Sequence, residues 1–173
     1  MKKILLMAAF VAAFSLQTKA QVVEPDLDDQ YAVDLIKPGS VAPDFKMKTI
    51  DGKPFVLSML KGKTVVLDFW ASWCPDCRKD APEVVRMYRK FHSPDVEFVG
   101  VSMDTNVEQW RAAVAHFGIE YTQVSELKKF KETNIARLYG VKWIPSMVVI
   151  GPDGKVLLST VQFQKVDKLL RKR

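Results

Sequence analysis

Cysteine is scarce in this chain of 173 residues: Cys74 and Cys77 are the only two. Histidine is equally scarce, at His92 and His116. A structural zinc site takes four ligands, and both histidines fall in helix-like stretches away from the cysteines. No resident metal is therefore expected. Haem attachment is excluded because Arg78, not His, follows Cys77. Long apolar runs are missing too. The run Ile4 to Leu16, broken only by Ser15, is shorter than the roughly 20 residues that span a bilayer. No cysteine follows it to carry a lipid anchor. Basic clusters are confined to the tail, Arg171-Lys172-Arg173, which reads as a solvated helix end. Nothing points to nucleic acid. Internal repeats and low-complexity tracts are absent.

What remains is ordinary globular composition, 48% hydrophobic and 27% charged, enough for one domain with a short appendage. Lys2-Lys3, the apolar run and the small-residue stretch Thr18-Lys19-Ala20 read as an export signal, residues 1–20, cleaved after Ala20. Its removal takes away three lysines and no acid, so the formal charge falls from +6 to +3. The chain is thus expected in a periplasmic or otherwise extracytoplasmic compartment, where conditions are oxidising.

Residues 21–40 read as a loose acidic N-terminal arm, carrying Glu24, Asp26, Asp28, Asp29 and Asp34. Lys37-Pro38-Gly39-Ser40 reads as a linker, and the folded domain is placed at 41–173. Phe45 to Ile50 and Pro54 to Ser58 flank Asp51-Gly52, a strong hairpin signal. Apolar runs at Thr64 to Trp70 and Asp95 to Ser102 read as buried strands. Helical spacing covers Arg78 to His92, with Pro82 expected to bend it. It also covers Asn106 to Phe117 and Leu127 to Tyr139, each followed by glycine. Tyr121 to Val124 is a short strand candidate. Ser146 to Ile150 and Lys155 to Thr160 form a second hairpin, and Gln162 to the end an amphipathic helix. The alternation predicts an α/β fold, a central mixed sheet with helices on both faces.

The chemistry concentrates at Trp73-Cys74-Pro75-Asp76-Cys77, between a buried strand and a helix. A C-x-x-C there is a thioredoxin-type redox signal. Unpaired N–H groups of the helix start point at the first sulfur and favour thiolate over thiol. Such placement lowers a cysteine pKa from about 8.5 into the range of about 3.5–7.5. The second cysteine, one turn on, is near enough to close a disulfide. So short a loop closes little chain entropy, which makes the pair a weak staple.

Several motifs, in order, resemble the thioredoxin superfamily, and within it the exported TlpA/ResA-like disulfide reductases. Ala42-Pro43-Asp44-Phe45 resembles the opening motif of that group. Asp68-Phe69-Trp70-Ala71-Ser72-Trp73-Cys74 with Cys77 resembles its active-site strand and loop. Pro82, Tyr139 to Pro145 and Val148 to Lys155 match its helix proline, cis-proline segment and closing hairpin. The resemblance covers residues 41 to 173. It implies a thioredoxin-like three-layer α/β/α fold with an N-terminal β-hairpin, and thiol–disulfide exchange without a cofactor. Cys74 is then the attacking sulfur and Cys77 the resolving one. Asp68 is the buried acid whose raised pKa lets it exchange protons. Asp80 stands where related reductases often carry Glu. Trp73, Pro75, Asp76, Trp143, Ile144 and Pro145 form the substrate groove. Pro145 is cis, and Trp73 covers the disulfide. Partners are protein disulfides and a membrane electron donor.

The chain also departs from the family pattern. Trp143 replaces a small residue, Gln162 a glycine, and Pro75-Asp76 the usual Gly-Pro. The lysine that pairs with the buried acid is missing; Gly100 stands nearest. Two other classes share parts of the pattern. A thiol peroxidase also opens with Ala-Pro-Asp-Phe, but Ala71 stands where its hydroxyl residue belongs. A thiolate metal chaperone could use the same cysteine pair.

Overall fold

The structure is a computed structural model that describes residues 26–172. The export signal expected at residues 1–20 lies outside these residues. Strand β1 (Lys46–Thr49) and β2 (Pro54–Val56) form the first hairpin. β3 (Thr64–Trp70) leads into helix α2 (Pro75–Phe91). β4 (Val96–Ser102), α3 (Val107–Phe117) and β5 (Thr122–Ser125) follow. Helix α4 (Asn134–Tyr139), β6 (Ser146–Ile150), β7 (Val156–Thr160) and α5 (Phe163–Leu170) complete the chain. A further helix, α1 (Leu27–Tyr31), precedes them.

All seven strands join one mixed sheet in the order β2-β1-β5-β4-β3-β6-β7. β3 runs parallel to β4 and antiparallel to β6, and every one of its residues is buried. Alternate side chains of a strand point to opposite faces, and two neighbours in β3 show which helices cover which face. Asp68 meets Tyr121, which precedes β5, on one side. Phe69 meets Tyr139 of α4 on the other, with ring centroids 5.6 Å apart. Helices α3 and α5 pack beside α2 on the Asp68 side. The result is three layers.

Helix α2 begins where the sequence makes a helix start easy. Cys74 is its N-cap, Pro75 occupies the first turn, and Asp76 adds negative charge there. The helix then continues through Pro82 to Phe91. Asn106 caps α3 by accepting from Gln109 N at 2.9 Å.

Two expectations need correction. Leu127 to Tyr139 is not one helix: Leu127 is left-handed, Phe130–Glu132 is a 3-10 turn, and α4 starts only at Asn134. Local side-chain bonds divert the backbone. Ser125 Oγ accepts from Leu127 N at 3.0 Å, and Glu126 Oε1 accepts from Ile135 N at 2.9 Å, capping α4. Residues 26–36 of the arm are not loose either. Asp28 accepts from Thr160 Oγ1 and Val161 N, both at 2.8 Å, at the start of α5. Lys165 bridges Asp26 and Asp28 at 2.5 Å each. Acids that read as solvated are instead anchors at a helix N-terminus, where negative charge is favoured. Leu35 is consequently buried in the core. Gly140 makes the arm's close approach possible. Its φ is +66°, and a Cβ there would collide with the Asp34 carbonyl.

Candidate active site

The end of β3, the start of α2 and the loop before β6 converge on the cysteines. Cys74 and Cys77 form a disulfide with Cα atoms 5.3 Å apart. Both are buried. Cys74 Sγ accepts from Cys77 N at 3.1 Å, so a helix-start N–H does point at the first sulfur. Ile144–Pro145 is a cis peptide. The Ile144 carbonyl lies 3.6 Å from Cys74 Sγ. Pro75 and Asp76 are exposed beside the pair.

Beneath Cys77 is a small cavity of about 10 Å³, lined by Asp68, Cys77, Asp80, Tyr121 and Pro145 among others. That is room for roughly one water. Asp68 is buried, and its carboxyl is pushed up to about 7. Loss of solvent is the main cause, and the charge of Asp80 adds to it. The hydroxyl of Tyr121, donating to Asp68 Oδ2 at 2.9 Å, acts in the opposite direction. Asp80 is also raised, first by partial burial; Lys79 offsets this and Asp76 reinforces it. Tyr121 is held well above the usual phenol range by burial, the Asp68 charge and its own donated bond.

The two tryptophans expected at the site sit in different surroundings. Trp73 is largely exposed and lines a groove against α3 with Arg78, Gln109 and His116. His116 therefore shares a groove with the active-site loop rather than standing apart from it. His92 lies 3.5 Å from Glu97. Among the described residues, no group of three His, Cys, Asp or Glu could hold a metal. Trp143 stacks on Tyr31 of α1, with centroids 4.4 Å apart.

Four residues escaped the sequence reading. Tyr121 meets Asp68 only because β5 is placed beside β4, a long-range pairing that the sequence does not announce. Asp104 accepts from Ser72 N at 3.0 Å, Ser72 Oγ at 2.5 Å and Ser102 Oγ at 2.8 Å, tying down the loop before Cys74. Gln123 Oε1 accepts from Trp70 Nε1 at 3.0 Å. Its side chain occupies the space over Gly100, where a Cβ would collide with it. Gly100 faces Asp68 in the β3–β4 register. Tyr31 came from a segment expected to be loose.

The fold and the paired sulfurs together define a class, the thioredoxin-like thiol–disulfide oxidoreductases. The chain belongs to the AhpC/TSA family, which matches residues 38–159. It is 36% identical over 122 residues to the thiol-disulfide oxidoreductase ResA of Bacillus subtilis, covering 70% of this chain and 66% of that one. The Bacillus cereus protein of the same name is 32% identical over 131 residues, covering 76% and 73%. A solved thioredoxin domain of a thiol-disulfide oxidoreductase from Bacteroides vulgatus superposes with a TM-score of 0.72 at 28% identity. It spans 79% of this chain and 97% of its own.

Proposed function

We propose that the chain is an exported reductase of protein disulfides. The observation that carries this reading is the shared cavity of Asp68 and Cys77, with the carboxyl near 7. In the reduced protein, Cys74 thiolate attacks one sulfur of a substrate disulfide. A mixed disulfide forms and the other substrate sulfur leaves as a thiolate. Cys77 then gives its proton to Asp68 carboxylate, directly or through one water, and attacks Cys74. The second substrate sulfur leaves and takes up the proton held by Asp68, and Cys74–Cys77 is restored as the disulfide. Two electrons have passed to the substrate. A membrane-bound dithiol donor returns them in each cycle.

Asp80 supports the raised pKa of Asp68 by its charge, a positioning role rather than a direct one. We assign Trp73, Pro75, Asp76, Trp143, Ile144 and Pro145 to the substrate groove, supported by the Ile144 carbonyl at 3.6 Å from Cys74 Sγ. Export is supported by Lys2-Lys3 and the apolar run that ends at Leu16. No helix among the described residues is long and apolar enough to cross a membrane.

The test is the reduction potential of Cys74–Cys77, measured by equilibration with thiol buffers. A value near or below about −270 mV makes the chain a reductant, whereas one near about −120 mV makes it an oxidant and ends this reading.

A further inference from the structure

Trp143 stands one residue before Ile144, whose carbonyl lies 3.6 Å from Cys74 Sγ. Its side chain is 40% exposed. The indole rests on the Tyr31 ring at 4.4 Å, with the two planes 31° apart. Tyr31 lies outside the stretch that the family matches, which begins at residue 38. The segment that carries it is fixed at both ends. Asp28 is held by Thr160, Val161 and Lys165, and Ile36 N donates to Tyr139 O at 3.0 Å. Lys142, the residue before Trp143, pairs with Asp34 at 3.3 Å. Val33, 58% exposed, belongs to the same segment.

We infer that Tyr31 and Trp143 form a docking face for an apolar, preferably aromatic, side chain of the substrate peptide. The inference rests on the reductase reading and names the substrate feature that this site selects. A peptide strand advances about 3.3 Å per residue. Because Trp143 directly precedes Ile144, the docking face would take a residue one or two positions from the substrate cysteine that reaches Cys74. A third ring there gains offset or edge contacts with the existing two. The segment before residue 38 thus contributes to the choice of substrate.

The experiment uses the reduced mature chain and two synthetic peptide disulfides. They differ only in carrying Phe or Ser two positions from the cysteine. The ratio of their second-order reduction rates is the readout, because it cancels any general loss of activity. The native chain should prefer the Phe peptide by about three- to tenfold. Tyr31→Ala and Trp143→Ala should bring the ratio close to one, and Tyr31→Phe should keep it. Tyr31→Leu retains most of the packing and removes the ring, so it reports where Tyr31→Ala fails to fold. A native ratio near one, or a native-like ratio in Tyr31→Ala or Tyr31→Leu, overturns the docking face alone. If the native chain reduces neither peptide, the reductase reading fails and the docking face with it.

Discussion

The hydroxyl of Tyr121 donates to Asp68 Oδ2 across 2.9 Å, inside a wall of the cavity that also holds Cys77. Opposed effects, with a smaller one from the charge of Asp80, therefore set the acidity of this carboxyl. Burial drives it up, and the donated hydrogen bond draws it back, leaving it at about 7. A proton acceptor tuned to that range can take a proton from a thiol and give it up again near neutral pH.

Replacing Tyr121 with Phe removes the donor and leaves the burial. The Asp68 carboxyl should then climb further. A hydrogen bond to a charged group contributes about 1.5–3 kcal/mol, so the expected displacement is about one to two pH units. The pH–rate profile of disulfide reduction should show its Asp68-dependent limb moved to higher pH in Tyr121→Phe. A limb that stays in place would mean that another group titrates there.

Asp68→Asn should separate stability from activity. The folded carboxyl titrates at about 7 and its ordinary value is 3.8. Between these limits the folded state binds the extra proton, so the contribution of Asp68 to stability is most favourable below about 4 and declines until about 7. Above that the ionised, buried Asp68 costs the fold up to roughly 4 kcal/mol. The Asn variant carries no such cost. Urea unfolding of the oxidised proteins should show Asp68→Asn gaining on the native chain as pH rises from 4 to 8, while its resolving step slows. Equal stabilities across the range would refute a raised Asp68 pKa.

Much of this was legible locally. Strand β3 was marked by the apolar residues on both sides of Asp68, and α2 by the helical spacing of Arg78 to His92 with a cysteine where the helix begins, although it starts three residues earlier, at Pro75. These are short-range signals. Tyr121 and Asp104 were not legible, since each reaches the site through strand pairings set by the whole sheet. The acidic segment misled for a different reason. Asp26 and Asp28 have the composition of a solvated tail, and only Lys165 and the α5 start, more than a hundred residues on, give them partners. Leu127 misled because Ser125 and Glu126 compete for the backbone that helix propensity would have claimed.

The two cysteines should behave unequally. In Cys77→Ser the attacking sulfur survives and the resolving one is gone, so a mixed disulfide with a substrate should accumulate. Cys74→Ser should trap far less, because Cys77 lines the small cavity with Asp68 while Cys74 is the sulfur beside the Ile144 carbonyl. Non-reducing gels after incubation with a disulfide-bonded substrate such as insulin measure this. Equal trapping by both variants would reverse or cancel the assigned order of attack.

Asp104 offers the last test, because it acts on the loop rather than on the sulfurs. Its carboxylate collects Ser72 N, Ser72 Oγ and Ser102 Oγ, and it is itself buried. Ser72 lies two residues before Cys74, so this bond set fixes the approach to the α2 N-cap. Asp104→Ala leaves three donors without their acceptor, two of them able to turn elsewhere. An unsatisfied buried group costs about 1–3 kcal/mol, so a loss of about 2–3 kcal/mol is expected. Asp104→Asn keeps an acceptor and should lose less. If the loop is held from this point, amide exchange at Ser72 and Cys74 should accelerate in Asp104→Ala more than exchange in β6, which lies across β3 from the change. Uniform acceleration over the whole sheet would show that Asp104 supports global stability and does not specifically order the active-site loop.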